Sequence, residues 1–123
     1  MIKFRWFYSG ACPTATAGSG TVTGYSPEIQ GEILAISIEY LDSPPATTDV
    51  VISDARDPSG AAILTLANAN TDGKWFPRAF LCDDVGVATT TVVEHPIESI
   101  LSVVVTGANT GDGVNVGVWY RSA

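Results

Sequence analysis

The sequence predicts a single all-β domain, an antiparallel β-sandwich or jelly-roll-like barrel of about seven to eight strands. β-Rich runs recur along all 123 residues, Gly, Pro, Asn or Asp turns close each run, and no useful helical pattern separates them. No linker or repeat divides the chain, so residues 1–123 are treated as one domain with one core. The clearest predicted strands are Ile2–Tyr8, Glu32–Leu41, Asp49–Ser53, Ala62–Leu66, Thr90–Glu94, Ile100–Thr106 and Val114–Arg121.

The first predicted strand alternates between large apolar residues and cations. In an extended chain, alternate side chains point to opposite faces, so Lys3 and Arg5 share the face opposite the apolar set. We expect the apolar face to pack in the core, near a sheet edge. Its members are Ile2, Phe4, Trp6 and Tyr8.

The segment that follows, residues 9–24, consists almost entirely of small residues. Two interpretations remain open for residues 1–24: an ordinary first hairpin within the sheet, or an attachment arm that crosses onto a partner. Small side chains bury little area within their own domain, so an arm would need contacts with that partner to offset its ordering. The arm hypothesis predicts that deletion of residues 1–24 leaves a folded domain that no longer binds.

The remaining elements follow from periodicity and turn residues. Glu32–Leu41 is the strongest strand, and Pro44 and Pro45 make a stiff connection after it. His95-Pro96 is expected to break the chain between two strands, and a tight glycine-rich loop precedes the last strand. The expected buried positions are Leu34, Ile36, Ile38 and Tyr40 in the strongest strand, and Val114, Val116, Val118 and Tyr120 in the last.

Charge and composition exclude several classes of function. Thirteen acidic against six basic residues give a net charge of −7, and no basic stripe exists to neutralise phosphates, so nucleic-acid binding is not expected. No apolar run approaches the ~20 residues of a membrane span. The opening residues lack the pattern of a secretion signal, so we expect synthesis in the cytosol. The charged fraction of 15% is low, which is common in proteins that pack against others.

No catalytic or metal-binding constellation is recognisable, and we expect neither an enzyme nor a cofactor. His95 is the single histidine, and Cys12 and Cys82 are expected to be free thiols, although a disulfide between them is possible. The aspartates at 54, 57, 83 and 84 lack the spacing of a calcium loop and are expected to cap turns.

Large side chains beside cations mark the candidate interface residues, because Trp, Phe and Arg are enriched at interface anchors. The segment KWFPRAF and the C-terminal WYR share this character; burial in the core is the alternative for the aromatics. The candidate interface residues are Lys3, Arg5, Trp6, Trp75, Phe76, Arg78 and Trp119.

The order of motifs from Gly31 onward resembles small virion proteins of tailed bacteriophages, including capsid decoration proteins. The motifs are the strand patterns Gly31–Tyr40, Asp49–Ile52 and Gly113–Tyr120, and the aromatic-Pro-Arg segment Phe76–Arg78. The resemblance implies a β-sandwich or jelly-roll-like domain that attaches to a preassembled shell, often as a trimer. It implies no enzyme activity.

The sequence therefore predicts a virion structural protein, most consistent with a decoration protein on the capsid surface, made in the host cytoplasm. Its expected partners are the major capsid protein and two further copies of itself. Two alternatives remain: a neck or tail component, and a carbohydrate-binding module that stacks Trp75, Trp119 or Tyr25 on sugar rings.

Overall fold

The chain forms two antiparallel β-sheets packed face to face. The computed structural model describes residues 1–82 and 84–122, without the side chains of residues 80–82 and 88. No helix occurs in these ranges, and none of their residues belongs to a helix long and apolar enough to cross a membrane. The strands are β1 (Ile2–Tyr8), β2 (Gly20–Tyr25), β3 (Ile29–Leu41), β4 (Asp49–Asp54), β5 (Ala62–Leu66), β6 (Gly73–Trp75), β7 (Arg78–Cys82), β8 (Ala88–Ser99), β9 (Leu101–Ala108) and β10 (Gly113–Ser122).

The larger sheet has six strands in the order β1-β10-β3-β8-β7, and β6 pairs with β3 beside β8. The smaller sheet has four strands in the order β2-β9-β4-β5. The two sheets confirm the prediction of an all-β antiparallel sandwich. The described ranges hold ten strands rather than seven or eight, because β2, β6 and β7 are short or poor in bulky β-formers.

The core lies between the two inner faces. β3 and β10 supply it from the larger sheet, and β4 and β9 from the smaller one, mostly with Ile and Val, whose branched side chains pack well on a pleated surface. All four positions expected in the last strand are buried. The largest fully buried side chains are Ile29, Ile33, Ile36, Ile38, Ile52, Leu101, Val50, Val103, Val105, Val114, Val116 and Val118.

A bulge corrects the expected face of β3. Ile36, Ile38 and Tyr40 are buried as predicted, but Leu34 is only half-buried, and Ile33 takes the next core position. Trp119 pairs with Ala35 and Tyr120 pairs with Ile33, so the register skips Leu34. An extra residue in one strand reverses the alternation beyond it.

The predicted chain break at His95-Pro96 is wrong. β8 runs through both residues, and its partner changes there: Glu94 pairs with β7, whereas His95 and Pro96 pair with β3. The missing N–H of Pro96 thus falls next to the change of partner, where the ladder is already interrupted. The chain instead leaves the larger sheet after Ser99.

Residues 1–25 contribute to both sheets. β1 pairs with β10 and β2 with β9, so these two strands do not form a hairpin with each other. The segment between them packs on the β9–β10 connection: Cys12 N–H donates to the Asp112 carbonyl, and Gly18 N–H donates to the Asn109 side chain. Ser9 is buried, and its hydroxyl accepts a hydrogen bond from Val114 N–H.

Candidate interaction surface

The apolar face of β1 points away from the core, contrary to expectation. Phe4 and Trp6 expose 46% and 49% of their surface, while Phe7 on the opposite face is buried. The register explains the reversal, because Phe7 lies across from the core residue Val116, and Phe4 lies across from Trp119 on the outer face. β1 therefore covers the outside of the sheet with aromatic rings.

These rings belong to a continuous cluster, here called the aromatic patch: Phe4, Trp6, Lys74, Phe76 and Trp119. Trp119 is central, with its ring centroid 4.6 Å from that of Phe4 and 4.1 Å from the Lys74 ammonium nitrogen. The same nitrogen lies 5.7 Å from the Phe76 centroid. A cation over the rings contributes a favourable cation–π interaction and leaves the apolar surface in place.

Gly117 provides the surface on which Trp6 lies. A Cβ atom at Gly117 would come within 2.6 Å of Trp6 Cζ3 and of Ser37 Oγ, so only glycine permits this close stacking. The Trp6 and Phe4 centroids are 5.7 Å apart, which joins Trp6 to the rest of the patch. The Trp6 ring is thus held against the backbone on one side.

Of the residues predicted for an interface, three meet in the aromatic patch: Trp6, Phe76 and Trp119. Trp75 instead packs against the core, close to Gly73. The Arg78 guanidinium donates to the carbonyls of Leu34 and Pro77. Phe4 and Lys74 were missed; the register that places Phe4 beside Trp119 has no signal in a single strand.

Lys3 and Arg5, the other two predicted interface residues, lie on the opposite face of β1. They line a cavity of about 330 Å³, here called the cationic groove, at an end of the larger sheet. The register places Lys3 across from Tyr120 and Arg5 across from Val118, both of which face inward. The groove is lined by Lys3, Arg5, Glu28, Gln30, Tyr120 and Ser122.

The titratable groups elsewhere are explained by local structure. Burial, and next the charge of Asp112, raises the pKa of the free, buried Cys12 thiol, which disfavours the reactive thiolate. The Cys82 side chain and Asp83 lie outside the described part of the chain. Asp54 and Asp57 cap turns as predicted, accepting from the N–H groups of Arg56 and Ser59.

The Ser59 hydrogen bonds lower the pKa of the Asp57 carboxyl. Within the described residues, no three side chains of the types that ligate metals come together.

No protein-family model matches the sequence, and no curated protein is significantly similar to it. The function is therefore inferred from the surfaces of the chain and from its strand motifs.

Proposed function

We propose that this protein is a virion structural protein of a tailed bacteriophage, a decoration protein that binds the outer surface of the capsid. The observation that carries the proposal is the aromatic patch: large apolar side chains lie exposed on the outside of a sheet whose core is already complete. Exposed apolar clusters of this kind mark sites of protein association. The resemblance in strand motifs to small phage virion proteins supplies the identity of the partner, the major capsid protein.

The mechanism is mechanical. Trp6 on β1 and Phe76 in the β6–β7 connection are both about half exposed or more, and each large aromatic side chain offers ~150–250 Å² for burial against a partner. Many copies at equivalent capsid sites multiply a modest contact, and binding across neighbouring subunits would resist separation of the shell. No catalytic step is involved, and the action takes place on the virion.

The proposed fold is a jelly roll, as the resemblance implies. Support comes from the strand order, because β1, β2, β3 and β4 alternate between the two sheets, and β8, β9 and β10 alternate again. Such nested alternation is expected of two Greek keys wound together, and it leaves the outer face of the larger sheet open for docking.

The first test is the composition of particles. Virions of the phage that encodes this chain should contain the protein in a stoichiometric multiple of the capsid protein, measured by quantitative mass spectrometry. Hundreds of copies per particle would support a decoration protein, whereas a dozen or fewer would support the neck or tail alternative. Complete absence from purified particles would refute both.

The second test addresses the aromatic patch with matched variants. Trp6→Ser should abolish co-sedimentation with shells that lack the protein, because it removes an exposed anchor. Tyr25→Ser is the control, since Tyr25 is 59% exposed but belongs to the smaller sheet. Equal binding by both variants would show that the patch is not the docking surface.

A carbohydrate-binding module is the second candidate, favoured by the half-exposed Trp6 ring that is held against Gly117. Sugar rings stack on such fixed aromatic faces. Trp75 is unsuited to this role because it packs against the core, and Trp119 already lies against Phe4 and Lys74. If this candidate is correct, tryptophan-fluorescence titration with polysaccharides should show saturable binding, and Trp6→Ser should remove it. Absence of saturable binding would exclude the candidate.

A further inference from the structure

The cationic groove carries an inference that is independent of the virion function, because it lies on the face of β1 opposite the aromatic patch. Its two cations stand out in a chain with thirteen acidic and six basic residues. Lys3 and Arg5 project to the inner side of β1, where an apolar residue would normally continue the core beyond Phe7. The sequence thus places two positive charges on the inner side of the edge strand β1.

Neither cation is neutralised within the described chain. The ion pairs found in the described ranges join Arg56 to Glu28 and Arg121 to Glu94. Glu28 is the one acidic residue of the groove, and it already contacts Arg56 at 3.9 Å and accepts from the Gln30 amide at 3.3 Å. Lys3 and Arg5 therefore present their donors to the groove without an internal acid partner.

The groove also has the volume of a ligand site, and its lining is mainly polar. Its volume of about 330 Å³ is within the range of small-molecule sites. Tyr120, which is 3% exposed, forms a fixed wall, while Gln30, Ser122 and Glu28 offer donors and acceptors. A planar guanidinium binds two oxygens of one oxyanion at once, and an ammonium adds a second positive donor.

We propose that the cationic groove binds the oxyanion of a small, hydroxyl-rich molecule, with Arg5 and Lys3 holding the anionic group. The amide of Gln30 and the carboxylate of Glu28 would contact the hydroxyls. The oxyanion is a carboxylate or a phosphate, and the experiment below distinguishes these two groups.

The test is an NMR titration of the full chain with glucuronate, glucose monophosphate and glucose. At least one anionic sugar should shift the amide signals of β1 and of the Tyr120–Ser122 end of β10, and should bind about tenfold more tightly than glucose, as expected for charged hydrogen bonds. Tighter binding of glucuronate would identify the group as a carboxylate, and tighter binding of glucose monophosphate would identify it as a phosphate. Added salt should weaken the binding, because the groove is open to solvent.

Matched variants separate this role from a structural one. Arg5→Gln and Lys3→Gln should each weaken binding about tenfold and leave the thermal unfolding midpoint unchanged, since both side chains are exposed. Lys74→Gln, which removes an exposed cation from the opposite face, should bind normally. Equal affinity for glucose, no shifts at millimolar ligand, or full binding by the Lys3→Gln/Arg5→Gln double variant would overturn the proposal.

Inward-pointing charges also protect an edge strand from pairing with other chains. Because β1 is such an edge, the double variant should be examined by light scattering as well. Self-association of that variant without loss of anion binding would assign the two cations to edge protection alone, and would overturn the proposed site.

Discussion

At the scale of single residues, Gly31 has the strictest requirement. Its φ is +140°, and a Cβ atom there would overlap the carbonyl oxygen of Arg121 in the paired strand. Because the atoms in the way are backbone atoms of β10, which cannot move aside as a side chain could, Gly31→Ala should lower the free energy of unfolding by about 2 kcal/mol or more. Urea denaturation measures this. The neighbouring Gln30→Ala is the control and should cost less than about 0.5 kcal/mol, because Gln30 is exposed.

Tyr40 makes a pH-dependent contribution to stability. Burial, and secondarily the charge of Asp72, raises the pKa of Tyr40 to about 12 from 10.0, and its buried hydroxyl has no hydrogen-bond partner among the described residues. The folded state therefore keeps the proton while the unfolded chain loses it, so stability should fall as pH rises from about 10 to 12.

Tyr40→Phe should remove the part of the stability loss at alkaline pH that comes from Tyr40 ionisation. The measurement is the free energy of unfolding of the two proteins as a function of pH. At neutral pH the variant should match or exceed the parent in stability, because no hydrogen bond is lost. A destabilisation of several kcal/mol at neutral pH would show that the hydroxyl has a partner in solution.

At the scale of elements, β1 and β2 belong to the two sheets without pairing with each other, which favours a structural role for residues 1–24 over an attachment arm. β1 pairs with seven residues of β10, and the loop after it is hydrogen-bonded to residues 109–114. Deletion of residues 1–24 should therefore unfold the domain, because the sheet edges at β9 and β10 and the core around Phe7 would become exposed. Circular dichroism of the truncated chain measures this, and a cooperative β-sheet transition would favour the attachment arm.

The same elements show how far local pattern reaches. Alternation correctly paired Phe4 with Trp6 and Lys3 with Arg5, but it could not tell which face of β1 is inside. That choice depends on β10, because Val116 and Val118 are buried in the core. Their partners Phe7 and Arg5 therefore lie on the inner face of β1. The bulge at Leu34 is likewise a property of two paired strands, so it has no signal in the sequence of either one.

The sequence indicated which residue types would form the candidate sites, but it did not indicate which of those residues come together in space. The density of aromatics beside cations indicated Trp6, Phe76 and Trp119, which do meet. Trp75 has the same local context as Phe76, yet it is the last residue of β6 and pairs with the core residue Ile36, whereas Phe76 follows the strand and is exposed. The cationic groove joins residues from both ends of the chain, and only the sheet order brings these together.

At the scale of the whole molecule, the β7–β8 ribbon extends beyond the sandwich. Residues 88–94 of β8 pair with β7, and in the described chain they have no second strand partner. Val92 and Val93 on this ribbon are 48% and 36% exposed. A two-stranded ribbon with exposed valines on both faces is marginal in water, so further copies of the chain are expected to cover it.

The exposed ribbon favours association of copies, and the resemblance to phage virion proteins implies three of them. We predict that the protein is a homotrimer in solution, with the ribbon at the interface and the aromatic patch left free for the shell. Light scattering should give three times the monomer mass of 12.9 kDa. Because each copy carries a charge of −7, like charges oppose assembly, and salt should strengthen the trimer by screening them.

Val92→Thr with Val93→Thr keeps the β-branched shape but adds hydroxyls, and should shift the mass toward the monomer. Trp6→Ser should leave the mass unchanged, and a monomer of the parent chain at high concentration would contradict the preformed trimer.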